Sequence, residues 1–344
     1  MIRNDIKSLS AYRVPDSDGL IKLDAMENPY GLPEELRRDW LNQLAAVNLN
    51  RYPDAGMLPL RRKIARREGL APEQVLLGNG SDEIIQMLLL ASNPGTCVAP
   101  RPTFVMYDLI SRWLKRPVAS VPLKTDFSLD ADHFLQVCAR EKAEIAFLAC
   151  PNNPTGNLWA EETISRIARS MQGQLIIDEA YEPFAARTHT VMISANVMVL
   201  RTFSKLGWAG LRLGYLLGEA DQIEHLNKVR MPYNINALTQ TSAEFLLDHF
   251  EVFEQQTKVI CAERERLREA LAGIDALTVF PSQANFLLVK TPDAAAVFDR
   301  LKQAGILIKS MHGADPMLAQ CVRITVGARE ENDAVIAALK EMPG

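Results

Sequence analysis

Apolar and polar positions alternate along this chain in two rhythms. Val75-Leu76-Leu77, Cys97-Val98-Ala99, 118–122, 145–150, Leu175-Ile176-Ile177, 197–200 and 213–217 are short apolar runs, rich in β-branched residues or leucine. They are too brief for helices and predict buried strands. Between them, 84–91, 104–113, 131–140 and 161–171 carry apolar residues at helical spacing. Strand and helix taking turns in this way predicts an α/β fold, a mostly parallel central sheet with helices on both faces. In such sheets the chemistry sits at the carboxyl ends of the strands.

The two ends depart from that rhythm. Residues 1–32 read as an extended N-terminal arm, because Asp16, Asp18, Gly19, Pro29 and Gly31 break periodicity and only 20–23 is strand-like. Pro33-Glu34-Glu35 opens a helix with Leu36, Trp40 and Leu44 as its apolar stripe. A second, very basic helix over 58–68 is expected to turn its arginines to solvent. After Met231-Pro232-Tyr233-Asn234, helices 238–248 and 252–272 precede strands 278–280, 286–289, 306–308 and 322–326, with helices 294–304 and 332–341 among them. This pattern predicts a smaller α+β unit, joined to the rest by 252–272. The expected division is an arm (1–32), an N-terminal part of the small domain (33–48), a large domain (49–235) and a C-terminal small domain (236–344).

Composition narrows the class without naming it. With 344 residues, 48% hydrophobic and 23% charged, the chain resembles an ordinary globular protein large enough for two domains. A net charge of −4 and no long basic run argue against nucleic acid or an anionic membrane surface as partner. No apolar run approaches the roughly 18 residues of a membrane span. The polar start, Met1-Ile2-Arg3-Asn4-Asp5, lacks the apolar centre of a signal peptide. Cys97, Cys138, Cys150, Cys261 and Cys321 are scattered and read as small core residues in a reducing compartment, so a cytoplasmic enzyme is expected.

Candidate chemistry gathers at the strand ends. Lys205 leaves the 197–200 strand within Thr202-Phe203-Ser204-Lys205-Leu206-Gly207, with Arg212 seven positions on. Such a lysine can form a Schiff base with the aldehyde of pyridoxal phosphate, while Thr202, Ser204 and Arg212 hold the phosphate. Taken alone, the stretch reads sooner as a solvated loop lysine. Gly78-Asn79-Gly80-Ser81-Asp82 turns into helix 84–91 with Ser81 as the expected N-cap, a place where free N–H groups can meet a phosphate or simply start a helix. Asp178, in Asp178-Glu179-Ala180-Tyr181, can keep a pyridine nitrogen protonated, and Asn153 and Tyr181 can bond a ring oxygen. As isolated motifs, both are also plain turns closing strands. His133, His189, His225, His249 and His312 fall outside every motif, and no metal site is suggested.

In their order along the chain, Asn153-Pro154-Thr155-Gly156, Asp178-Glu179-Ala180-Tyr181, Thr202-Phe203-Ser204-Lys205 and Arg212 resemble the aspartate-aminotransferase-like pyridoxal phosphate enzymes of fold type I. Within that superfamily, Glu27-Asn28-Pro29-Tyr30-Gly31, Arg51-Tyr52-Pro53-Asp54, Gly78 to Glu83, Pro102-Thr103-Phe104-Val105-Met106-Tyr107 and Val322-Arg323-Ile324-Thr325 are similar to the histidinol-phosphate aminotransferase family. The resemblance implies that Lys205 binds pyridoxal 5'-phosphate and serves as the proton-transferring base. Asp178 would pair with the ring nitrogen, Asn153 and Tyr181 with the ring oxygen, and Tyr107 would stack on the ring. The backbone at Ser81 and Asp82, with Thr202, Ser204 and Arg212, would grip the phosphate.

The same resemblance implies a homodimer, in which Tyr52 reaches the phosphate of the neighbouring subunit. It gives Arg323 to the substrate carboxylate or phosphate, and Tyr12, Glu27 and Asn28 to an arm over the substrate. Phe104 stands where tyrosine is frequent in the family, which leaves Tyr107 as the expected stacking residue. The lysine-to-arginine spacing is one residue shorter than the family's, so a tighter turn through Gly207 is expected. The implied reaction is amino transfer between L-histidinol phosphate and 2-oxoglutarate in histidine biosynthesis. An aromatic amino acid aminotransferase and a threonine-phosphate decarboxylase are the alternatives. The aminotransferase-like sensor of a transcription regulator is set aside, since only the short arm precedes Pro33.

Overall fold

A computed structural model describes residues 2–9, 11 and 15–341. A short helix α1 (Asn4–Lys7) and strand β1 (Ile21–Lys22) are followed by α2 (Glu34–Ala45) and α3 (Leu58–Glu68). The alternating region then runs β2 (Val75–Gly78), α4 (Ser81–Ala91), β3 (Thr96–Arg101), α5 (Met106–Trp113), β4 (Val118–Pro122), α6 (Ala131–Arg140), β5 (Ala143–Ala149), α7 (Glu161–Ser170), β6 (Gln174–Asp178), β7 (Val197–Thr202) and β8 (Gly214–Leu217). Next come α8 (Ala220–Asn227), α9 (Ala237–Asp248), α10 (Phe250–Ala272), β9 (Thr278–Val279), β10 (Phe286–Lys290), α11 (Ala294–Gln303), β11 (Ile306–Leu307), β12 (Lys309–Ser310), β13 (Cys321–Thr325) and α12 (Arg329–Lys340).

The larger sheet has seven strands in the order β2-β8-β7-β6-β5-β3-β4. Pairing from β7 to β4 is parallel throughout, and β8 runs antiparallel to both its neighbours. Because side chains alternate across a strand, each run feeds two cores. Ile145, Phe147 and Ile176 pack under α4 and α5 with Ile84, Leu88 and Ile110. Ala146, Leu148, Leu175 and Ile177 pack under α6 and α7 with Phe134, Ile164 and Ile167. This two-sided burial is why the strands read as unbroken apolar runs.

A second sheet, β12-β13-β10-β9, is antiparallel, and β1 pairs in parallel with β11 beside it. Leu287, Val289 and Ile324 of this sheet meet Val297 and Leu301 of α11 and Val335 and Leu339 of α12. Helix α10 joins the two cores: Phe250 and Phe253 pack with the larger sheet's Val199 and Tyr215, while Leu267 and Leu271 belong to the smaller core. Helix α10 thus contributes side chains to both cores.

The packing of α2 involves the larger sheet. Its stripe, Leu36 and Trp40, joins the core beneath β2, β7 and β8 with Phe245 and Leu246 of α9, and Trp40 Nε1 donates to Ser242 Oγ at 2.9 Å. Helix α2 thus packs with α9 against one face of the larger sheet. No residue of α2 is fully buried, so its narrow stripe depends on α9 as a partner. The arginines of α3 are not all solvated either. Arg67 lies 3.3 Å over the Phe250 ring, and Arg61 donates to Val75 O and Pro72 O.

Candidate active site

Lys205 sits on the return from β7 to the antiparallel β8. Phe203 and Trp208, stacked at 4.5 Å and both buried, anchor this return in the core and leave Lys205 turned the other way. Two single 3-10 turns, Ser204–Leu206 and Ala209–Leu211, meet at Gly207, whose φ of 112° only glycine adopts readily. Arg212 follows in left-handed conformation. The chain thus covers the seven positions from Lys205 to Arg212 in two short turns. Lys205 Nζ donates to Ala25 O at 3.1 Å. Burial, and then the Arg323 guanidinium, push its pKa down to about 8. A buried amine so close to neutrality supplies free base, which a solvated lysine does not.

Asp178 ends β6 and is buried beneath the same cleft. Its Oδ1 accepts from Ala180 N at 3.0 Å and its Oδ2 from the Tyr107 hydroxyl at 2.6 Å. Burial raises its pKa to about 6 against the pull of the Tyr107 bond. Tyr107 itself corrects the sequence-based expectation. Its ring lies flat on Phe147 at 4.6 Å, behind Asp178, while Phe104 meets it edge-on at 5.5 Å and lines the cleft. Phe104 precedes α5 on a loop and reaches the opening, whereas Tyr107 lies in the first turn and faces the sheet. The cleft wall belongs to Phe104, and Tyr107 supports the carboxylate.

Tyr107→Phe keeps the ring on Phe147 and removes the bond to Asp178. A hydrogen bond to a charged group contributes about 1.5–3 kcal/mol, so Asp178 should hold its proton to higher pH. The acidic limb of the pH–rate profile should then move upward. An unmoved limb would show that the bond does not act on Asp178.

Asn153 couples two groups: its Nδ2 donates to the Tyr181 hydroxyl at 3.0 Å, and its Oδ1 accepts from Arg323 Nη1 at 2.6 Å. Arg323 Nη2 donates to Asp24 O at 2.8 Å. Register places Lys309 of β12 directly across from Arg323 of β13, so two cations share one face of the smaller sheet. The sequence alone gave no sign of Lys309, since its partner depends on strand pairing. Nor did it single out Arg201, whose buried guanidinium bridges Glu179 (2.8 Å) and Glu68 (2.6 Å) and ties the end of β6 to that of β7.

On the far side of Lys205 the N-terminus of α4 opens. Its N-cap is Gly80, not Ser81, and no side chain caps it. Gly80 has φ 83°, and a Cβ there would stand 2.7 Å from Arg212 Nη2. Arg212 Nη1 lies 3.4 Å from Ser204 Oγ, and Nη2 lies 3.7 Å from Asp82 Oδ2. Thr202 Oγ1 is 2.9 Å from Ser204 Oγ. Uncapped helix N–H groups, two hydroxyls and a guanidinium around one opening form an anion cradle.

The other nominated residues lie apart from the cleft. Tyr52 is 81% exposed and stacks on Tyr233 at 4.5 Å. Glu27 pairs with Lys22 at 2.6 Å. The Asn28 amide donates to Leu206 O (2.9 Å) and Gln256 Oε1 (3.0 Å), fastening the arm to the lysine loop instead of lining the cleft. Tyr12 lies outside the described residues. Among the described residues no group of three metal-binding side chains occurs, no helix is long and apolar enough to cross a membrane, and all five cysteines are free.

Known proteins share this chain's sequence pattern and fold. Residues 18–339 match the family Aminotransferase class I and II. Histidinol-phosphate aminotransferase 1 of Burkholderia lata is 49% identical over 351 aligned positions, covering 100% of this chain and 98% of that protein. The crystal structure of histidinol-phosphate aminotransferase from Sinorhizobium meliloti with pyridoxal-5'-phosphate superposes with TM-score 0.88 at 24% identity, covering 99% of this chain and 96% of that one. A decarboxylase from Sulfurospirillum multivorans superposes with TM-score 0.76 at 30% identity, covering 93% and 94%. The cleft contains an amine, a buried carboxylate and an anion cradle, which are the complements of an aldehyde, a ring nitrogen and a phosphate. Through nearly its whole length, then, the chain belongs to the class I and II aminotransferases, pyridoxal-5'-phosphate enzymes of fold type I.

Proposed function

We propose that the protein transfers an amino group between L-histidinol phosphate and 2-oxoglutarate, giving imidazole acetol phosphate and L-glutamate in histidine biosynthesis. The observation that carries the chemistry is Lys205, a buried amine with a pKa of about 8 facing the cleft above Asp178. The substrate follows from full-length likeness to a histidinol-phosphate aminotransferase and from two cations, Arg323 and Lys309, on one face. When bound, pyridoxal phosphate supplies an aldehyde to capture the amine and a protonated ring to take up the electron pair left on carbon.

The chain's residues divide the rest of the work. Asp178 holds the proton on the ring nitrogen, Asn153 and Tyr181 bond the ring oxygen, and Phe104 covers one ring face. The backbone N–H groups at Ser81 and Asp82, with Thr202, Ser204 and Arg212, hold the phosphate. Lys205 Nζ would hold the cofactor's aldehyde carbon and, as a free amine, would move a proton off the substrate carbon. Arg323 binds the glutamate carboxylate in one half-reaction and the phosphate ester in the other, as a planar fork suits both anions. Purified enzyme given histidinol phosphate and 2-oxoglutarate should form glutamate. Release of carbon dioxide from a phosphorylated amino acid, without glutamate, would instead identify a decarboxylase.

Arg323→Ala should slow both half-reactions, each by a charge-assisted pair, roughly 1.5–3 kcal/mol or more in a closed site. Single-turnover rates with glutamate and with histidinol phosphate separate the two. Loss confined to glutamate would place the phosphate elsewhere.

A cytoplasmic homodimer with shared sites is part of this reading. Five free cysteines fit a reducing compartment. Met231 (69% exposed), Tyr52 and Tyr233 form an aromatic and apolar surface that a second subunit would cover. Mixing Lys205→Ala with Tyr52→Ala protein should regenerate activity through hybrid dimers carrying one intact site. Full activity in a strictly monomeric preparation would contradict shared sites.

A further inference from the structure

The segment leading into Met26 reaches the cleft, and the carbonyls of two consecutive residues before it meet two cations, Arg323 and Lys205. Asp24 O accepts from Arg323 Nη2 at 2.8 Å, and Ala25 O accepts from Lys205 Nζ at 3.1 Å. The next residue, Met26, lines the cleft and has φ 55°, a left-handed conformation that costs a non-glycine residue energy. Two side chains from the smaller sheet hold it there. Thr325 Oγ1 accepts from Met26 N at 3.0 Å, and Asn285 Nδ2 donates to Met26 O at 2.9 Å. Both are buried, Asn285 at 0% and Thr325 at 2% exposure. They stand side by side, because Thr325 pairs in register with Phe286, the residue after Asn285. Thr325 N also donates to Leu23 O at 3.0 Å, so the strap is gripped on both sides of Asp24-Ala25.

We infer that Thr325 and Asn285 are positioning residues for substrate anion binding, acting by clamping Met26 in its left-handed backbone so that Asp24 O and Ala25 O orient Arg323 and Lys205. The guanidinium is held at two nitrogens, Nη1 by Asn153 Oδ1 and Nη2 by Asp24 O. Its direction is therefore set partly by where the strap lies. A fork fixed before the anion arrives loses less side-chain freedom on binding. The inference rests on the reading of Arg323 as the anion-binding residue.

The test uses holoenzyme and glutarate, a dicarboxylate that cannot accept an amino group, with affinity measured by calorimetry. Thr325→Val keeps the branched shape and removes the acceptor, and should weaken glutarate about tenfold, the equivalent of one lost hydrogen bond. KM for glutamate should rise with it, while kcat falls much less. The pH midpoint of the cofactor's absorbance, which reports the surroundings of Lys205, should also move. Thr325→Ser should restore all three, and Asn285→Ala should repeat the valine effect by an independent route if Thr325→Val fails to fold. Arg323→Ala serves as the reference. If it weakens glutarate while folded Thr325 and Asn285 variants bind normally, the clamp is refuted and the anion reading stands. Unchanged binding in Arg323→Ala would overturn both.

Discussion

Lys205→Ala is expected to fold normally and to have no measurable turnover. Its amine makes one hydrogen bond, to a backbone carbonyl, and lies 5.8 Å from the centre of the Tyr181 ring, while the loop is anchored by Phe203 and Trp208. A pKa lowered by burial also means that the folded state bears a cost for the charged amine, so its removal relieves the fold. Function loses two things at once: the attachment of the cofactor and the base that moves the proton. Steady-state assays and thermal unfolding of the variant check the two halves of this expectation. Borohydride reduction of the wild-type holoenzyme should attach the cofactor irreversibly at Lys205. Attachment at another lysine would move the active site.

Asp178→Asn should bind cofactor and lose most of its rate. An amide cannot stabilise a positive ring nitrogen as a carboxylate does, and in a buried site that electrostatic contribution is large. By comparison with removal of a single oxyanion-stabilising group, a loss of about 3–4 kcal/mol in the barrier is expected, read as a fall in kcat. A near-normal kcat would remove Asp178 from the mechanism. The cofactor-free protein gives a second readout. The folded pKa of about 6 lies above the ordinary carboxylate value of 3.8, so the folded state binds more protons between these two pH values. Stability of the cofactor-free wild type should therefore fall as pH rises from about 4 to about 6, and the asparagine variant should lack that decline. Denaturant midpoints across that range measure it.

What was legible in the sequence is what local periodicity and strand-end chemistry determine. The run 118–122 and the helix 131–140 have the bounds read from their apolar spacing. Lys205, Asp178, Asn153 and Tyr181 meet in one cleft because each closes or follows a strand of the same parallel sheet. Errors arose where a residue's role depends on contacts distant in sequence. Tyr107 and Phe104 are three positions apart and both aromatic, and only the packing of Phe147 decides which one faces the cleft. Ser81 has the chemistry of an N-cap, yet the bend begins one residue earlier, at Gly80, whose φ of 83° disfavours a side chain. Strand β12 has two residues and no periodicity of its own, so Lys309 was invisible until paired with β13. The side of the molecule on which α2 docks depended on α9, some two hundred positions away.

Substrate selectivity tests the account most directly. The measurement is kcat/KM of the wild-type holoenzyme, with 2-oxoglutarate as acceptor, for histidinol phosphate against histidinol and phenylalanine. If Arg323 takes the phosphate, histidinol phosphate should exceed histidinol by at least a charge-assisted contact, about tenfold or more. It should exceed phenylalanine as well. Phenylalanine used as well as or better than histidinol phosphate would contradict the account and make the protein an aromatic amino acid aminotransferase.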